Sequence, residues 1–136
     1  MANIYIVEDD TNIQEIEAIA LKNSGHNVEQ FEDAKHFYKK IEEKLPDLAI
    51  LDIMLPDENG YEIVKKLRKN PATKKLPVIM VTAKTSEIDM VKGLDIGADD
   101  YIKKPFSIIE FITRIKAVLR RTVEQPDDKY MTIGEI

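Results

Sequence analysis

Short apolar runs alternate along this chain with longer stretches in which apolar residues recur every three or four positions. The short runs have the length and β-branched content of strands, and the longer stretches are typical of amphipathic helices. Runs such as Ile4-Tyr5-Ile6-Val7 are almost uniformly apolar, as expected for strands covered on both faces. The pattern therefore predicts five β-α units around a parallel sheet. The predicted strands are Asn3–Val7, Asn27–Phe31, Leu48–Asp52, Pro77–Thr82 and Asp100–Lys103.

The apolar positions of each helical stretch predict the face that the helix buries. In the first helix this face contains Ile13, Ile16 and Ala20, and in the fourth it contains Val91 and Leu94. The last helix has the clearest period, which runs through Ile108, Phe111, Ile112, Ile115, Val118 and Leu119. Two polar residues should cap helices at their N-termini: Asp10 the first helix and Ser107 the last.

Composition narrows the possible classes of protein. The chain has 136 residues, of which 43% are hydrophobic, and this suits one domain with one sizeable core. A net charge of −5 argues against this portion gripping a nucleic-acid backbone by itself. There is no cysteine, which excludes disulfides and thiolate metal sites. The first residues lack a secretion signal and no apolar run is long enough to span a membrane, so we expect a cytoplasmic protein without membrane contact.

Polar side chains follow four of the predicted strands, at the point where each strand ends. Glu8-Asp9-Asp10 follows the first strand, Asp52 and Thr82 close the third and fourth, and Lys104 follows the fifth. In parallel sheets ligands bind at this edge, so these groups should converge if the strands are neighbours. Clustered carboxylates without histidine or cysteine favour Mg²⁺. The sequence thus predicts a site that binds metal and handles phosphoryl groups.

Each of these residues also has an ordinary structural reading. Asp10 is equally well explained as a helix cap, and Thr82 alone would be a satisfied hydroxyl in a turn. Lys104 alone would be a surface lysine, although Pro105 biases its backbone towards an extended conformation. The common location of all the residues, rather than any one of them, carries the functional interpretation.

Four segments carry a family resemblance: Ile6-Val7-Glu8-Asp9-Asp10, Leu51-Asp52-Ile53-Met54-Leu55-Pro56 with Asn59-Gly60, Val81-Thr82-Ala83 and Lys104-Pro105-Phe106. In their order and spacing they resemble the receiver domain of two-component response regulators. The stretch 93–101 and the ending Arg120-Arg121 resemble more narrowly the OmpR/PhoB-type subfamily, whose receivers are joined to a winged-helix DNA-binding domain. The resemblance implies a flavodoxin-like (βα)5 fold with helices on both faces and the strand order 2-1-3-4-5.

The resemblance also implies roles for the residues at the strand ends. Asp52 would accept a phosphoryl group from a sensor histidine kinase. Glu8, Asp9, Asp52 and the backbone carbonyl of Met54 would hold Mg²⁺, for which Mn²⁺ could substitute. Thr82, the backbone N–H of Ala83 and Lys104 would then bind the phosphoryl group.

A switch and an output surface follow from the same resemblance. Phosphorylation would draw Thr82 inward, and Tyr101 would turn inward to fill the space that this movement leaves. Homodimerisation on phosphorylation would use charged residues of the fourth helix, fifth strand and fifth helix, although solvated charges are their ordinary reading. These residues are Lys92, Asp95, Asp99, Asp100, Lys103, Glu110, Arg114 and Arg121.

The tail differs in character from the rest of the chain. Residues 1–121 are predicted to form the receiver, and residues 122–136 to form a linker and the start of a truncated winged-helix domain that would contact DNA. The alternative is a frayed end of a stand-alone receiver that acts through protein contacts.

The sequence argues against two other classes of protein. A phosphatase of the haloacid dehalogenase type also uses a strand-end Asp, a Thr, a Lys and Mg²⁺, but it needs a second Asp two residues after the nucleophile. That position is Met54, which cannot transfer protons, so we expect a phosphoacceptor with at most slow autodephosphorylation rather than an enzyme. A nucleotide-binding fold is disfavoured because neither glycine-rich phosphate loop is present.

Overall fold

The computed structural model describes residues 2–83, 91–92 and 94–124. Within these ranges the strands are β1 (Asn3–Val7), β2 (Asn27–Phe31), β3 (Leu48–Leu51), β4 (Val78–Thr82) and β5 (Asp100–Lys103). They form one parallel sheet in the order β2-β1-β3-β4-β5. The predicted fold class and strand order are therefore confirmed.

Helices connect the strands and cover the sheet. They are α1 (Thr11–Asn23), α2 (Ala34–Glu43), α3 (Gly60–Lys69) and the C-terminal helix (Ile108–Glu124), and residues 91–92 and 94–95 are also helical. The C-terminal helix continues past Arg121, where we predicted the domain to end. The rest of the predicted linker and effector strand, residues 125–136, lies outside the described residues. Within the described ranges, every helix falls short of the length and apolar character that crossing a bilayer requires.

The core lies in two layers, one on each face of the sheet. Alternate residues of the strands point to opposite faces. Tyr5 and Val7 pack with α2 and α3, whereas Ile4 and Ile6 pack with α1 and the C-terminal helix. All four side chains are at most 1% exposed. This two-sided burial confirms the prediction drawn from the uniformly apolar strands.

The predicted helix caps are present. Asp10 Oδ1 accepts hydrogen bonds from the N–H groups of Asn12 at 3.0 Å and Ile13 at 3.2 Å, and so caps α1. Ser107 Oγ accepts one from Glu110 N–H at 3.0 Å at the start of the C-terminal helix. Asp10 therefore has the structural role that competed with a role in the site.

The predicted face of α1 is buried only in part. Ala20 is buried and Ile13 is half-buried, as predicted, but Ile16 is 49% exposed. Gln14, Glu17 and Leu21 are buried as well. Gln14 Nε2 donates to the carbonyl oxygens of Glu8 at 3.0 Å and Phe31 at 2.9 Å, and these bonds turn its side of the helix towards the sheet. Polar residues therefore occupy positions where an amphipathic pattern calls for apolar ones.

The predicted apolar face of the fourth helix is also not covered. Val91 is 55% exposed and Leu94 is 46% exposed. Exposed apolar residues of this size are typical of surfaces that meet a partner when they lie close together.

Candidate functional site

The carboxyl ends of four strands bring the predicted residues to one edge of the sheet. The register pairs Val7 with Leu51, and Thr82 with Lys103. Glu8 and Asp52 therefore leave β1 and β3 side by side, and Lys104 N–H donates to Thr82 O at 2.9 Å. The convergence of these strand ends, which the sequence predicted, is present.

Lys104 links the two buried carboxylates of the site. Its Nζ lies 2.6 Å from Glu8 Oε1 and 3.1 Å from Asp52 Oδ2. Glu8 is only 2% exposed and Asp52 7%, so this ammonium balances charge in a place where water is scarce. Lys104 thus lies between the two carboxylates, where their negative charge would also attract any other cation.

Burial and neighbouring charges shift the proton affinities at the site. Burial raises the pKa of Glu8, and the charge of Asp52 raises it further. The hydrogen bond from Lys104 lowers it, and the resulting pKa is about 7. Burial alone would lower the pKa of Lys104, but its hydrogen bond to Glu8 and the charge of Asp52 outweigh burial and raise it. Lys104 therefore stays charged, while Glu8 exchanges its proton near neutral pH.

A cluster of three carboxylates fits a divalent cation. Oxygen atoms of Glu8, Asp9 and Asp52 all lie within 4.8 Å of one another, with Asp9 exposed and the other two buried. Oxygens on opposite sides of an octahedral Mg²⁺ lie about 4 Å apart, so the spacing and the hard donor set both match this ion. That the buried pair already attracts the Lys104 ammonium indicates that the cluster favours positive charge.

The backbone after β3 turns tightly beside Asp52. Met54 N–H donates to Asp52 Oδ1 at 3.3 Å, and Met54 and Asn59 form an isolated antiparallel β-bridge. Gly60 N–H donates to Ile53 O at 2.7 Å, and a Cβ at Gly60 would lie 2.8 Å from Ile53 Cα. Only glycine allows this close approach of two backbone segments. The Met54 side chain is 61% exposed, so its backbone is the part of Met54 that is fixed beside the site.

Thr82 and Ala83 complete the edge at the end of β4. Thr82 is 1% exposed and Ala83 is exposed. Tyr101 of β5 is only 2% exposed and belongs to the core layer that contains Met80 and Val64. We expected Tyr101 to turn inward after phosphorylation, but its ring is already inside in this conformation.

The charged residues predicted for the output surface make several contacts within the chain. Arg114 Nη1 lies 3.0 Å from Asp100 Oδ1, and Arg114 Nε lies 3.1 Å from Glu110 Oε2. Lys92 Nζ lies 4.7 Å from the ring centre of Tyr61 in α3. Asp95, Lys103 and Arg121 are exposed.

Asp99 is tied to the amino ends of β4 and β5 and not only to the predicted surface. Its Oδ2 accepts from Val78 N–H at 2.8 Å and lies 3.3 Å from Arg68 Nη2. Arg68 also donates to Leu76 O at 2.6 Å and Gly97 O at 2.7 Å. Asp99 and Arg68 therefore hold the segments around β4 and β5 together at the edge opposite the site.

Glu17 is a buried carboxyl group that the sequence pattern did not reveal. It is 1% exposed, and neither of its carboxyl oxygens has a hydrogen-bond partner among the residues that the structure describes. Burial raises its pKa to about 8, with a further rise from the charge of Glu8 and an opposing effect of Lys104. The spacing of Gln14, Glu17, Ala18 and Leu21 was the available signal, but the polarity of the first two residues hid it.

A family model described as the response regulator receiver domain matches residues 4–116. Among curated proteins, the chain is 44% identical over 131 residues to the phosphate regulon transcriptional regulatory protein PhoB of Pseudomonas aeruginosa, covering 96% of this chain and 57% of that protein. It is 45% identical over 136 residues to the response regulator ArlR of Staphylococcus epidermidis, covering 100% of this chain and 59% of that protein. The chain thus spans little more than half the length of these relatives.

Solved structures are similar over most of the chain. A CheY-like response regulator receiver domain protein from Methanospirillum hungatei JF-1 superposes with a TM-score of 0.84 at 34% identity, covering 92% of this chain and 98% of that one. The receiver domain of Francisella response regulator 1452 gives a TM-score of 0.84 at 30% identity, covering 90% and 99%.

Proposed function

This chain belongs to the response regulator receiver domain family, and on that premise we propose that it receives a signal as a phosphoryl group on Asp52. The single observation that supports this most is the contact of Lys104 Nζ with both Glu8 and Asp52 at the sheet edge. Because the two carboxylates are buried, a group placed there meets a nucleophile, a cation and acidic ligands together.

In the proposed reaction Asp52 is the nucleophile. One of its carboxylate oxygens bonds to the phosphorus of a phosphohistidine on a sensor kinase while the phosphorus–nitrogen bond breaks. Asp52 is oriented by Lys104 at Oδ2 and by Met54 N–H at Oδ1. This fixed orientation supports an in-line approach, which depends on positioning more than on proton transfer.

Glu8, Asp9, Asp52 and the carbonyl oxygen of Met54 are the proposed ligands of Mg²⁺, with Mn²⁺ as a substitute. The ion would neutralise phosphoryl oxygens during transfer. Glu8 has to be ionised to serve as an acidic ligand, and its pKa of about 7 makes this role sensitive to pH. Below that pKa its protonated carboxyl group cannot attract a cation.

Lys104, Thr82 and Ala83 are the proposed phosphoryl-binding groups. Lys104 would exchange a carboxylate partner for a phosphoryl oxygen and remain charged, because its pKa is raised. Thr82 would donate its hydroxyl hydrogen, and Ala83 its backbone N–H. Burial of Thr82 supports this role, since a new hydrogen bond is stronger where water is excluded.

The proposed switch involves Thr82 and Tyr101. Tyr101 is buried in the described conformation, so phosphorylation would stabilise this inward ring over an outward one. This is a shift in the populations of two conformations rather than the creation of a new one.

Receiver domains of response regulators are generally not enzymes. We propose at most slow autodephosphorylation for this chain. Met54, two residues after Asp52, is apolar and largely exposed, and it cannot accept a proton from a water molecule that attacks the aspartyl phosphate.

An exposed apolar patch supports a protein as the phosphoryl donor. Ile16 and Ile19 on α1 are 49% and 51% exposed, and Ile108 and Ile109 of the C-terminal helix are 45% and 80% exposed. Both helices cover the same face of the sheet. We propose that this isoleucine patch docks the sensor histidine kinase.

Phosphorylation would promote a homodimer through the output surface. Val91 and Leu94 supply exposed apolar area there, and Asp100, Glu110 and Arg114 form a mixed-charge cluster. Opposite charges on one patch suit a two-fold interface, because each copy can offer the other its complement.

The relatives PhoB and ArlR are longer regulators, and PhoB is a transcriptional regulator. We propose that in a longer protein the output is transcription control through a DNA-binding domain.

Phosphorylation with a small donor tests the central proposal. The chain is incubated with acetyl phosphate and Mg²⁺ and then analysed by intact mass spectrometry. We expect one phosphoryl group per chain, which is lost in Asp52→Asn and retained in the control Asp10→Asn, whose residue caps α1. Continuous phosphate release over many turnovers, or labelling that survives in Asp52→Asn, would contradict the proposal.

A further inference from the structure

The loop between β3 and α3, residues 52–59, is attached to the start of α2 through Asp57. Asp57 Oδ1 accepts from Ala34 N–H and Asp57 Oδ2 accepts from Lys35 N–H, each at 3.0 Å. A carboxylate is stabilised at this position because the first N–H groups of a helix lack partners within the helix. The loop thus supplies a bidentate cap to a helix that lies about twenty residues earlier in the chain.

The next residue strengthens the same attachment. Glu58 Oε1 accepts from the hydroxyl group of Tyr38 in α2 at 2.9 Å, and Glu58 Oε2 lies 2.7 Å from Lys66 Nζ in α3. Two consecutive acidic residues therefore hold the loop tip against two helices.

Two carboxylates cap the start of α2, and they accept from different N–H groups. Asp33, the local N-cap, accepts from His36 N–H at 2.9 Å through its Oδ1. Asp57 accepts from Ala34 N–H and Lys35 N–H. Because Asp57 belongs to the loop and not to α2, its bonds also join the loop to the helix.

The other end of the loop lies in the site. Met54 N–H donates to Asp52 Oδ1, and Met54 pairs with Asn59 in an antiparallel β-bridge. Gly60 N–H donates to Ile53 O. With its base held by these bonds and its tip held by α2, the loop has little freedom to move the Met54 backbone.

We propose that Asp57 is a positioning residue for the metal site. By anchoring the loop to α2 it keeps the carbonyl group of Met54 where it can serve as a ligand, although Asp57 itself is no ligand. This inference rests on the proposed function, because it assigns to Asp57 an effect on the Mg²⁺ ligand set. Residues that orient ligands typically alter metal affinity by about 10- to 100-fold when they are replaced.

Titration with Mg²⁺ by calorimetry tests this role in the full 136-residue chain. We expect Asp57→Ala to raise the dissociation constant for Mg²⁺ about tenfold. Asp57→Asn should have a smaller effect, since its one amide oxygen can accept from one of the two N–H groups. The matched control is Asp33→Ala, which should lower the urea midpoint of unfolding but leave Mg²⁺ binding unchanged.

A spectroscopic readout separates positioning from a loss of stability. In wild type the amide resonances of Ala34 and Lys35 should shift with Mg²⁺ at the same midpoint as that of Met54. In Asp57→Ala they should no longer respond. If Asp57→Ala fails to fold, the same measurements on Asp57→Asn decide.

Two results would overturn the proposal: unchanged Mg²⁺ affinity in both Asp57 variants, or equal weakening in Asp33→Ala. If wild type binds Mg²⁺ and is labelled at Asp52, either result removes only the role of Asp57. Failure of the proposed function would appear separately, as absent labelling of wild type by acetyl phosphate.

Discussion

Lys104 Nζ lies 2.6 Å from Glu8 Oε1, although the two residues are 96 positions apart in the chain. The contact joins the end of β5 to the end of β1 across the site. Because both groups are largely buried, their ionisation states depend on each other more than those of a surface pair would.

Replacing Lys104 with methionine should raise the pKa of Glu8 above its value of about 7. The ammonium lowers that pKa through a hydrogen bond and through its charge, so without it only the hydrogen bond from Asp10 N–H opposes burial and the charge of Asp52. The measurement is an NMR titration of the Glu8 carboxyl carbon in metal-free buffer. The exposed neighbour Lys103→Met is the control and should leave the titration unchanged.

Replacing Glu17 with leucine should stabilise the chain, and more so at high pH. The folded-state pKa of Glu17 is about 8 against 4.5 for an ordinary glutamate. The folded chain therefore holds this proton more tightly, and ionisation costs stability as the pH rises from 4.5 to about 8. Removing a buried carboxyl group that has no hydrogen-bond partner within the described part of the chain should add about 1–3 kcal/mol at pH 9. Urea unfolding at pH 5 and pH 9 measures the difference.

The matched control for Glu17 is Glu15→Leu, because Glu15 lies on the exposed side of the same helix. We expect little change in its unfolding free energy at either pH. A gain for Glu17→Leu that is the same at both pH values would contradict the assigned pKa.

Gly60→Ala should both destabilise the chain and slow labelling of Asp52. A Cβ at this position would lie 2.8 Å from Ile53 Cα and 3.1 Å from the carbonyl carbon of Asp52, so backbone must move. We expect a loss of about 1–3 kcal/mol in urea unfolding. Gly25→Ala is the control, since φ at Gly25 is +94 but a Cβ added there would have no atom of the described residues within 4 Å. It should lose about 1–2 kcal/mol and be labelled by acetyl phosphate at the wild-type rate.

Ile109→Ser should slow phosphoryl transfer from a kinase but not from acetyl phosphate. Ile109 is 80% exposed in the isoleucine patch, so a docked protein would bury it whereas a small donor would not touch it. We expect transfer roughly tenfold slower from whichever purified histidine kinase labels wild type fastest. Leu45→Ser is the control, because Leu45 is 42% exposed and precedes β3 at the opposite edge of the sheet. Equal slowing with both donors would contradict a docking role.

Arg114→Ala should weaken the phosphorylated dimer and scarcely change the stability of the monomer. Its side chain is 41% exposed, and exposed ion pairs are worth at most about 1 kcal/mol. We expect at least about tenfold weaker association in analytical ultracentrifugation with beryllofluoride as the phosphoryl mimic. Lys65→Ala, which removes an exposed pair with Glu62 on α3, is the control. An unchanged dimer in Arg114→Ala would rule out this surface.

The parts of the fold that follow from local pattern could be predicted from the sequence. Uniformly apolar strands have to be covered on both faces, and the position of Asp52 at a strand end follows from the length of its run. Convergence of Asp52 and Lys104 could be expected because all parallel strands end at one edge of the sheet.

Features that depend on contacts between distant segments could not be predicted in this way. The buried side of α1 is selected by Gln14, whose partners are the carbonyl oxygens of Glu8 and Phe31, and no periodicity reveals such partners. Periodicity also does not reveal the partners of Asp57, which are N–H groups of α2. The buried conformation of Tyr101 depends on packing between layers, about which strand propensity says nothing.

The bonds of Arg68 and Asp99 hold the amino ends of β4 and β5 together. Leu76, Val78 and Gly97 are all tied to this point. Thr82 and Lys104 lie at the other edge of the sheet, where none of these bonds reaches. A displacement that begins at the carboxyl end of β4 should therefore rotate β4 and β5 about their amino ends, which these bonds hold in place. Movement should be greatest at the rim and smallest at Asp99, so the output surface would tilt rather than slide.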